Sequence, residues 1–249
     1  MEEILGQIGD LSPLLIMGLG LSLGLEHAFE PDHMATVGTQ VSQGRLQQRS
    51  LKQVIKNGTA RSSLLGAFWG AGHTTTLVLM GLLVYVLAVK IEQQVFSSLE
   101  LIVGLMLVFL AVTTILNKKL HLIHRHPHPH QDGTIHYDAH DHKDSDHRHG
   151  HKSYIIGCVH GLAGSGSLVV LTAATLANVE AVLSFILIFG VGSVIGMTLI
   201  SGLLGLPFVF SAKAARINKI FRYVAGVFSL IMGANIVYQI GIVQNLFGF

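Results

Sequence analysis

Residues 27–33, with the sequence His-Ala-Phe-Glu-Pro-Asp-His, place two imidazoles and a carboxylate close together in an apolar part of the chain. Such ligands suit borderline divalent ions such as Ni²⁺, Co²⁺ and Zn²⁺. On a regular helix, at about 100° per residue, His27, Asp32 and His33 would diverge and could not converge on one ion. Pro31 permits a break in the helix, and an unwound turn facing a cavity would bring the three side chains together. The alternative is a helix end that leaves Asp32 and His33 in solvent.

Two more histidines lie inside predicted helices, where an ionisable side chain is by default a candidate for function. His73 follows Gly72, which allows a neighbouring backbone to approach closely, and precedes three threonines whose hydroxyls could orient its ring. His160 precedes the flexible, glycine- and serine-rich segment 161–167 and is the weaker ligand candidate. For both residues the alternative is a buried histidine that is satisfied by a neighbouring helix.

Two acidic residues, Glu26 and Glu30, flank the same cluster. Either carboxylate could balance the charge of a bound ion or accept a proton. Pairing with a cytoplasmic arginine would account for both residues equally well.

The segment 121–151 is rich in histidine and aspartate and poor in apolar residues, so we expect it to be disordered. Histidine-rich tracts bind metal by composition rather than by exact geometry, and this loop could buffer ions. A solvated charged run without function is the alternative. Its eleven histidines are His121, His124, His126, His128, His130, His136, His140, His142, His147, His149 and His151.

The elements that must position these residues are membrane helices. Of the 249 residues 50% are hydrophobic and only 12% are charged, whereas soluble domains carry about 25% charged residues. A net charge of +2 offers no basic surface for nucleic acid, and the single cysteine excludes an internal disulfide or a CxxC motif. Six windows are long and apolar enough to cross a bilayer, near 12–33, 62–88, 97–116, 153–177, 181–206 and 220–243.

The positive charges predict the orientation, because cytoplasmic loops are enriched in Lys and Arg. All Lys and Arg residues except Lys90 lie on one side, in the segments that follow helices 1, 3 and 5. We therefore expect the histidine-rich loop in the cytoplasm and both termini outside.

The two halves of the chain resemble each other. Residues 24–29 (Gly-Leu-Glu-His-Ala-Phe) parallel residues 157–162 (Gly-Cys-Val-His-Gly-Leu), and the Gly-x-Gly of 70–72 parallels that of 190–192. Three helices per half would give the halves opposite topology, as in transporters built from inverted repeats. The predicted fold is an all-α polytopic membrane protein with a 3+3 inverted repeat. Its parts are a first repeat (1–116), a disordered loop (117–152) and a second repeat (153–249).

These motifs resemble those of the nickel/cobalt transporter superfamily, and the short six-helix UreH-type nickel permeases are the most similar. The shared patterns are HxxxxDH at 27–33, Gly-His-Thr at 72–74 and His-Gly-Leu-Ala-Gly-Ser at 160–165. The resemblance spans essentially all the membrane segments. It implies that His27, Asp32, His33 and His73 take part in metal recognition and translocation.

The chain departs from the larger importers of that superfamily. Their LGxDTxTE motif has no counterpart, and their GMxxxD motif is reduced to Gly196-Met197 with Ser201 in place of the acid. Six helices with a histidine-rich loop are also similar to the exporters of the superfamily. Those exporters would have a glycine where Asp32 stands, so Asp32 favours uptake.

The sequence therefore predicts a secondary permease for Ni²⁺ or Co²⁺ rather than an enzyme. We expect no prosthetic group, only the transported ion. A GxxxxGK[ST] motif for ATP is absent from the sequence, and coupling to protons or to the membrane potential is a hypothesis. The expected location is the cytoplasmic (inner) membrane, with the lipid bilayer as surroundings. A cytoplasmic metallochaperone and a second copy of the chain are open as partners.

Three other functions stay open. One is efflux of Ni²⁺, Co²⁺ or Zn²⁺. Another is an intramembrane serine hydrolase, because Gly164-Ser165-Gly166 is faintly similar to the rhomboid Gly-x-Ser-Gly, although the glycine two positions before the serine is missing. The third is a metal sensor that uses only the loop, which should lose all function on deletion of 121–151, whereas a permease should keep transport.

Overall fold

The computed structural model describes residues 13–43, 51–83, 92–117, 128–129, 135–136, 147–162, 178–212, 214–244 and 246. Within this part the protein is helical apart from two short strands. The helices are α1 (Pro13–His27), α2 (Pro31–Ser42), α3 (Leu51–Gly81), α4 (Gln93–Ile115), α5 (His147–Gly161), α6 (Val179–Phe210) and α7 (Ala215–Tyr238), which continues as a π-helical turn over Gln239–Val243. The strands β1 (His128–Pro129) and β2 (Ile135–His136) pair antiparallel between α4 and α5.

Three helical segments in the described part are long and apolar enough to cross a membrane: Gln94–Ile115, Val179–Phe210 and Ala215–Val243. Leu14–His27 is a shorter apolar helix. Large apolar side chains cover the outside of these segments, for example Leu199, Leu203 and Val224, whereas histidines are buried inside. Such a surface is suited to lipid, and the chain is a multi-pass membrane protein. Six spans and the sidedness of the termini stay predictions.

The predicted helix 12–33 is not continuous. α1 ends at His27, residues 28–30 form a turn, and α2 begins at Pro31. Proline is favoured in the first turn of a helix because it lacks the N–H that would have no partner there. Glu30 precedes it in an extended conformation, with φ −58° and ψ 142°. The break expected at Pro31 is present, and it does not leave His33 in solvent, because that residue is buried completely.

The segment predicted as a disordered loop (117–152) ends in a helix. α5 begins at His147, so residues 147–152 are helical. Gly150 is buried against the ring of Phe68 on α3, and the Ser153 hydroxyl lies 2.7 Å from both the Leu65 carbonyl oxygen and Gln40 Oε1. These contacts with other helices stabilise a segment that its composition alone would leave unfolded. The strands β1 and β2 also lie within the predicted loop.

Two helix crossings position the centre of the molecule, and glycines allow both. A Cβ atom on Gly24 of α1 would overlap the Phe189 carbonyl of α6, and one on Gly157 of α5 would overlap the Trp69 carbonyl of α3. Small residues at such crossings let two backbones approach closely, which favours helix association in lipid. Gly192 and Gly72 make the reciprocal contacts on the partner helices. The crossings bring the C-terminal ends of α1 and α5 against α6 and α3, respectively.

Candidate metal centre

Four buried histidines meet where α1 ends, α2 begins, α3 passes and α5 ends. They are His27, His33, His73 and His160, each at most 5% exposed. The ring of His33 is central, with its centroid 4.2 Å from that of His27, 4.4 Å from that of His160 and 5.3 Å from that of His73. Four imidazoles from four helices thus form one cluster, although they are spread over 134 positions of the chain.

His27 faces a carboxylate on one side and another imidazole on the other. Its Nδ1 lies 2.8 Å from Glu30 Oε1, and its Nε2 lies 3.1 Å from Nε2 of His73. A carboxylate on one nitrogen of a histidine is the usual device that orients the other nitrogen toward a metal. Two imidazole nitrogens bound to one ion lie about 3 Å apart. The spacing of His27 and His73 therefore suits a shared ion, as well as a simple N–H···N hydrogen bond.

Asp32 joins the two remaining histidines. Its Oδ1 lies 2.9 Å from Nδ1 of His33 and also accepts a hydrogen bond from the backbone N–H of the same residue. Its Oδ2 lies 3.1 Å from Nε2 of His160. The carboxylate is 27% exposed, so it reaches from the surface of the cluster into its interior. In this arrangement Asp32 orients two rings, whereas the sequence predicted it only as a ligand.

Some polar atoms of the cluster have no hydrogen-bond partner among the described residues. They are Nε2 of His33, Nδ1 of His73 and Nε1 of Trp69, and all three are buried. A buried polar atom without a partner costs about 1–3 kcal/mol, and such atoms in a native protein require an explanation. A metal ion would satisfy an imidazole nitrogen. Trp69 packs against the cluster, and the centroid of its ring lies 5.2 Å from that of His33 and 5.5 Å from that of His160.

The donor atoms form two groups that could each hold an ion. One ligand atom from each of His27, His33 and His73 lies within 4.8 Å of the other two, and the same is true of Asp32, His33 and His160. Imidazole nitrogens with a carboxylate are the donor set of borderline transition metals. All four residues assigned to metal from the sequence lie in these groups, together with His160.

The other predicted residues lie at the edge of the cluster, away from it, or outside the described residues. Glu26 is exposed, and Glu30 is 40% exposed while it contacts His27. Of the eleven loop histidines only His151 has a described side chain, and it is exposed on α5. The side chains of the other ten, and Ser165 of the hydrolase alternative, lie outside the described residues.

The threonines after His73 do not hold its ring as expected. Thr74 donates a hydrogen bond to the Gly190 carbonyl of α6, and Thr76 lies within hydrogen-bond distance of the Cys158 carbonyl of α5. Thr75 bonds to the Ala71 carbonyl within its own helix. A threonine hydroxyl in a helix satisfies itself most easily on a nearby backbone carbonyl. The Tyr154 hydroxyl of α5 also donates to the Thr75 hydroxyl, so all three threonines connect α3 to its neighbours.

Sequence reasoning missed Thr36 and Trp69. The Thr36 hydroxyl lies 2.9 Å from the Asp32 carbonyl and 3.3 Å from Nδ1 of His160. Thr36 follows Asp32 by four positions and Trp69 precedes His73 by four, so each shares a helix face with a predicted site residue. That spacing is the signal that could have identified them.

The comparisons with known proteins agree with a membrane protein of this kind. Residues 70–235 match the family described as cytochrome C biogenesis protein transmembrane region. The urease accessory protein UreH of Bacillus sp. (strain TB-90) is 37% identical over 236 residues, which cover 94% of this chain and 95% of that protein. No solved structure matches the chain. The chain therefore belongs to the family of the urease accessory protein UreH and carries the transmembrane region shared with cytochrome C biogenesis proteins.

Proposed function

We propose that this protein is a secondary permease that carries Ni²⁺, and by the same ligand chemistry Co²⁺, into the cytoplasm. The observation that carries the proposal is the buried cluster of His27, His33, His73 and His160 with Asp32. Ionisable side chains are rare inside membrane proteins and mark ion pathways when they occur. A cluster in which two imidazole nitrogens have no partner among the described residues is suited to a dehydrated cation.

The choice of cation rests on ligand chemistry and on the family. Imidazole with a carboxylate favours Ni²⁺, Co²⁺ and Zn²⁺ over Mg²⁺ or Ca²⁺, which prefer oxygen ligands. The motifs at 27–33, 72–74 and 160–165 resemble those of nickel/cobalt transporters. The relative named as a urease accessory protein is similar over almost the whole chain. Nickel is therefore the first ion to test.

A transport mechanism is supported by the broken helix and by the two related crossings. Gly24 of α1 contacts α6 as Gly157 of α5 contacts α3. An inverted repeat of the six predicted membrane helices, three in each half, would produce this correspondence. Carriers with inverted repeats bind their substrate at interrupted helices, between halves that rock about the site. The ion would bind at His27, Asp32, His33 and His73 and cross as the halves move.

The charge distribution and Asp32 favour uptake. The Lys and Arg residues after the predicted helices 1, 3 and 5 predict that the histidine-rich loop lies in the cytoplasm, where its imidazoles could bind ions that have entered. Asp32 stands where the exporters of the superfamily would have a glycine. Efflux is the second direction that this cluster could support, and nickel accumulation in cells separates the two.

The test is accumulation of radioactive nickel in cells that express the wild type, His27→Ala or Thr113→Val. The second variant is the control, because the buried Thr113 hydroxyl bonds to the Leu110 carbonyl outside the cluster. We expect the wild type and Thr113→Val to raise nickel accumulation several-fold over empty cells, and His27→Ala to abolish the increase. A fall in accumulation that requires His27 would establish efflux instead of uptake. No difference between wild-type and empty cells would exclude nickel as the substrate.

A further inference from the structure

We propose that the cluster binds the cation at two successive positions that share His33. The first position consists of His27, His33 and His73, and the second consists of Asp32, His33 and His160. This inference rests on the proposed transport of a divalent cation and specifies how the ion passes through the centre. It replaces one composite site by two three-ligand sites of different charge.

The first position is marked by two imidazole nitrogens that face each other and by a third that has no partner among the described residues. Nδ1 of His27 already contacts Glu30, so its Nε2 is the nitrogen available for an ion, and that atom faces Nε2 of His73 at 3.1 Å. Nε2 of His33 has no hydrogen-bond partner among the described residues. Three neutral imidazoles on α1, α2 and α3 would therefore complete this position.

The second position is marked by a carboxylate between two rings. The Asp32 oxygens lie 2.9 Å from Nδ1 of His33 and 3.1 Å from Nε2 of His160. These separations also match the spacing of about 3 Å between two ligands of one ion. An ion here would replace the hydrogen bonds between Asp32 and the two rings, and all three side chains would bind the ion directly. Because it includes an anion, this position neutralises more of the charge of a divalent cation than the first.

The chemistry of imidazole separates the two positions. A neutral imidazole has a single in-plane lone pair, because its other ring nitrogen carries a proton. His33 can therefore bind an ion at Nε2, with Nδ1–H donating to Asp32, or at Nδ1, with the proton on Nε2, but not at both. A move of the ion from the first position to the second thus requires His33 to release the proton of Nδ1 to water and to take up one from water on Nε2, and the positions are filled one at a time.

The experiment uses full-length protein in detergent in which the eleven loop histidines are replaced by glutamine, so that only the helix histidines bind Ni²⁺. Affinity is measured by competition with a chromogenic chelator, and uptake is measured in vesicles. In this background we compare His73→Asn, which removes a ligand of the first position, with His160→Asn, which removes one of the second. His33→Asn removes a ligand of both. Size-exclusion profiles and helical content show which variants are folded, and His→Gln at the same site replaces any that is not.

We expect His73→Asn and His160→Asn each to bind one Ni²⁺ with a Kd within about tenfold of the parent, and His33→Asn to bind about 100-fold more weakly or worse. Both single-position variants should lose uptake, since each interrupts the transfer. Co²⁺ bound to them should give two different visible spectra, because only His73→Asn retains Asp32 as a ligand together with His160.

Two results would overturn the inference. One is a loss of affinity in His73→Asn and His160→Asn as large as in His33→Asn, which would mean a single composite site. The other is full uptake by His160→Asn, which would place the second position off the route. A failure of the proposed function differs from both, because the background protein would then bind Ni²⁺ and not transport it.

Discussion

The C-terminal ends of α1 and α5 can be compared directly, because each helix carries a buried histidine three residues after a glycine. Gly24 precedes His27 and Gly157 precedes His160, and each glycine lies against the backbone of another helix. The two ends differ in the residues after the histidine. Glu30 contacts His27 in the first half, whereas Gly161 comes directly after His160 and packs against the His73 backbone. His160 receives its carboxylate from Asp32 of the first half.

The two helix ends thus share a close glycine crossing, whereas they do not share the acidic groups. Both carboxylates of the centre come from residues 27–33, where the backbone is interrupted. A carboxylate inside an apolar bundle is costly, and the break lets Glu30 and Asp32 contact buried rings while they stay 40% and 27% exposed. The second half contributes one imidazole and the close crossing that positions it.

The largest effect should come from adding a methyl group at the two crossings. In Gly24→Ala and Gly157→Ala the new Cβ overlaps a backbone carbonyl, which cannot move aside as a side chain could. We expect each variant to lose about 3 kcal/mol of stability or more and to give little folded protein, measured by yield and by thermal unfolding in detergent.

Gly18→Ala is the matched control, because among the described residues no atom of another helix lies within 4 Å of the position of its Cβ. It should be as stable as the wild type or slightly more stable, since alanine favours the helix. Equal tolerance of alanine at all three glycines would contradict the close approach of the helices at the two crossings. A loss of stability in Gly24→Ala but not in Gly157→Ala would show that the two crossings do not contribute equally to the stability of the fold.

The two carboxylates provide the next test. Asp32→Asn should lower the affinity for Ni²⁺ about 10–100-fold, because Asp32 orients two rings. Glu30→Gln should lower it less than about tenfold, because Glu30 contacts one ring closely and water can reach it. Both dissociation constants are measured on purified protein in detergent. A larger effect of Glu30→Gln would reverse the assignment of the principal carboxylate.

The smallest effect concerns the hydroxyl beside His160. Thr36→Val keeps the shape of the side chain and removes the oxygen 3.3 Å from Nδ1 of that ring, so the affinity for Ni²⁺ should fall about threefold. Thr113→Val is the matched control, because its buried hydroxyl bonds to the Leu110 carbonyl outside the cluster. The same assay should give an unchanged Kd for that variant. Equal losses in both variants would mean that Thr36 acts only through packing.

Much of the local structure could be predicted from the sequence. Pro31 indicated the break between α1 and α2, and the apolar windows near 97–116, 181–206 and 220–243 correspond to the three long apolar helices. The histidines in the helices were identified as unusual because membrane helices avoid ionisable side chains. These features depend on residues that are close together in the chain, so composition and spacing were sufficient.

The tertiary structure decided which of these residues meet. His160 is 128 positions from Asp32, and no spacing rule connects residues so far apart. Their contact depends on how closely α5 approaches α3, which Gly72 and Gly157 allow by leaving space for a backbone. The helical start of α5 at His147 likewise depends on contacts with α2 and α3 rather than on its own composition. The sequence by itself determined the type and the local placement of the candidate ligands. The packing of helices determined that they meet at one centre, because the distances between them are set by contacts between distant parts of the chain.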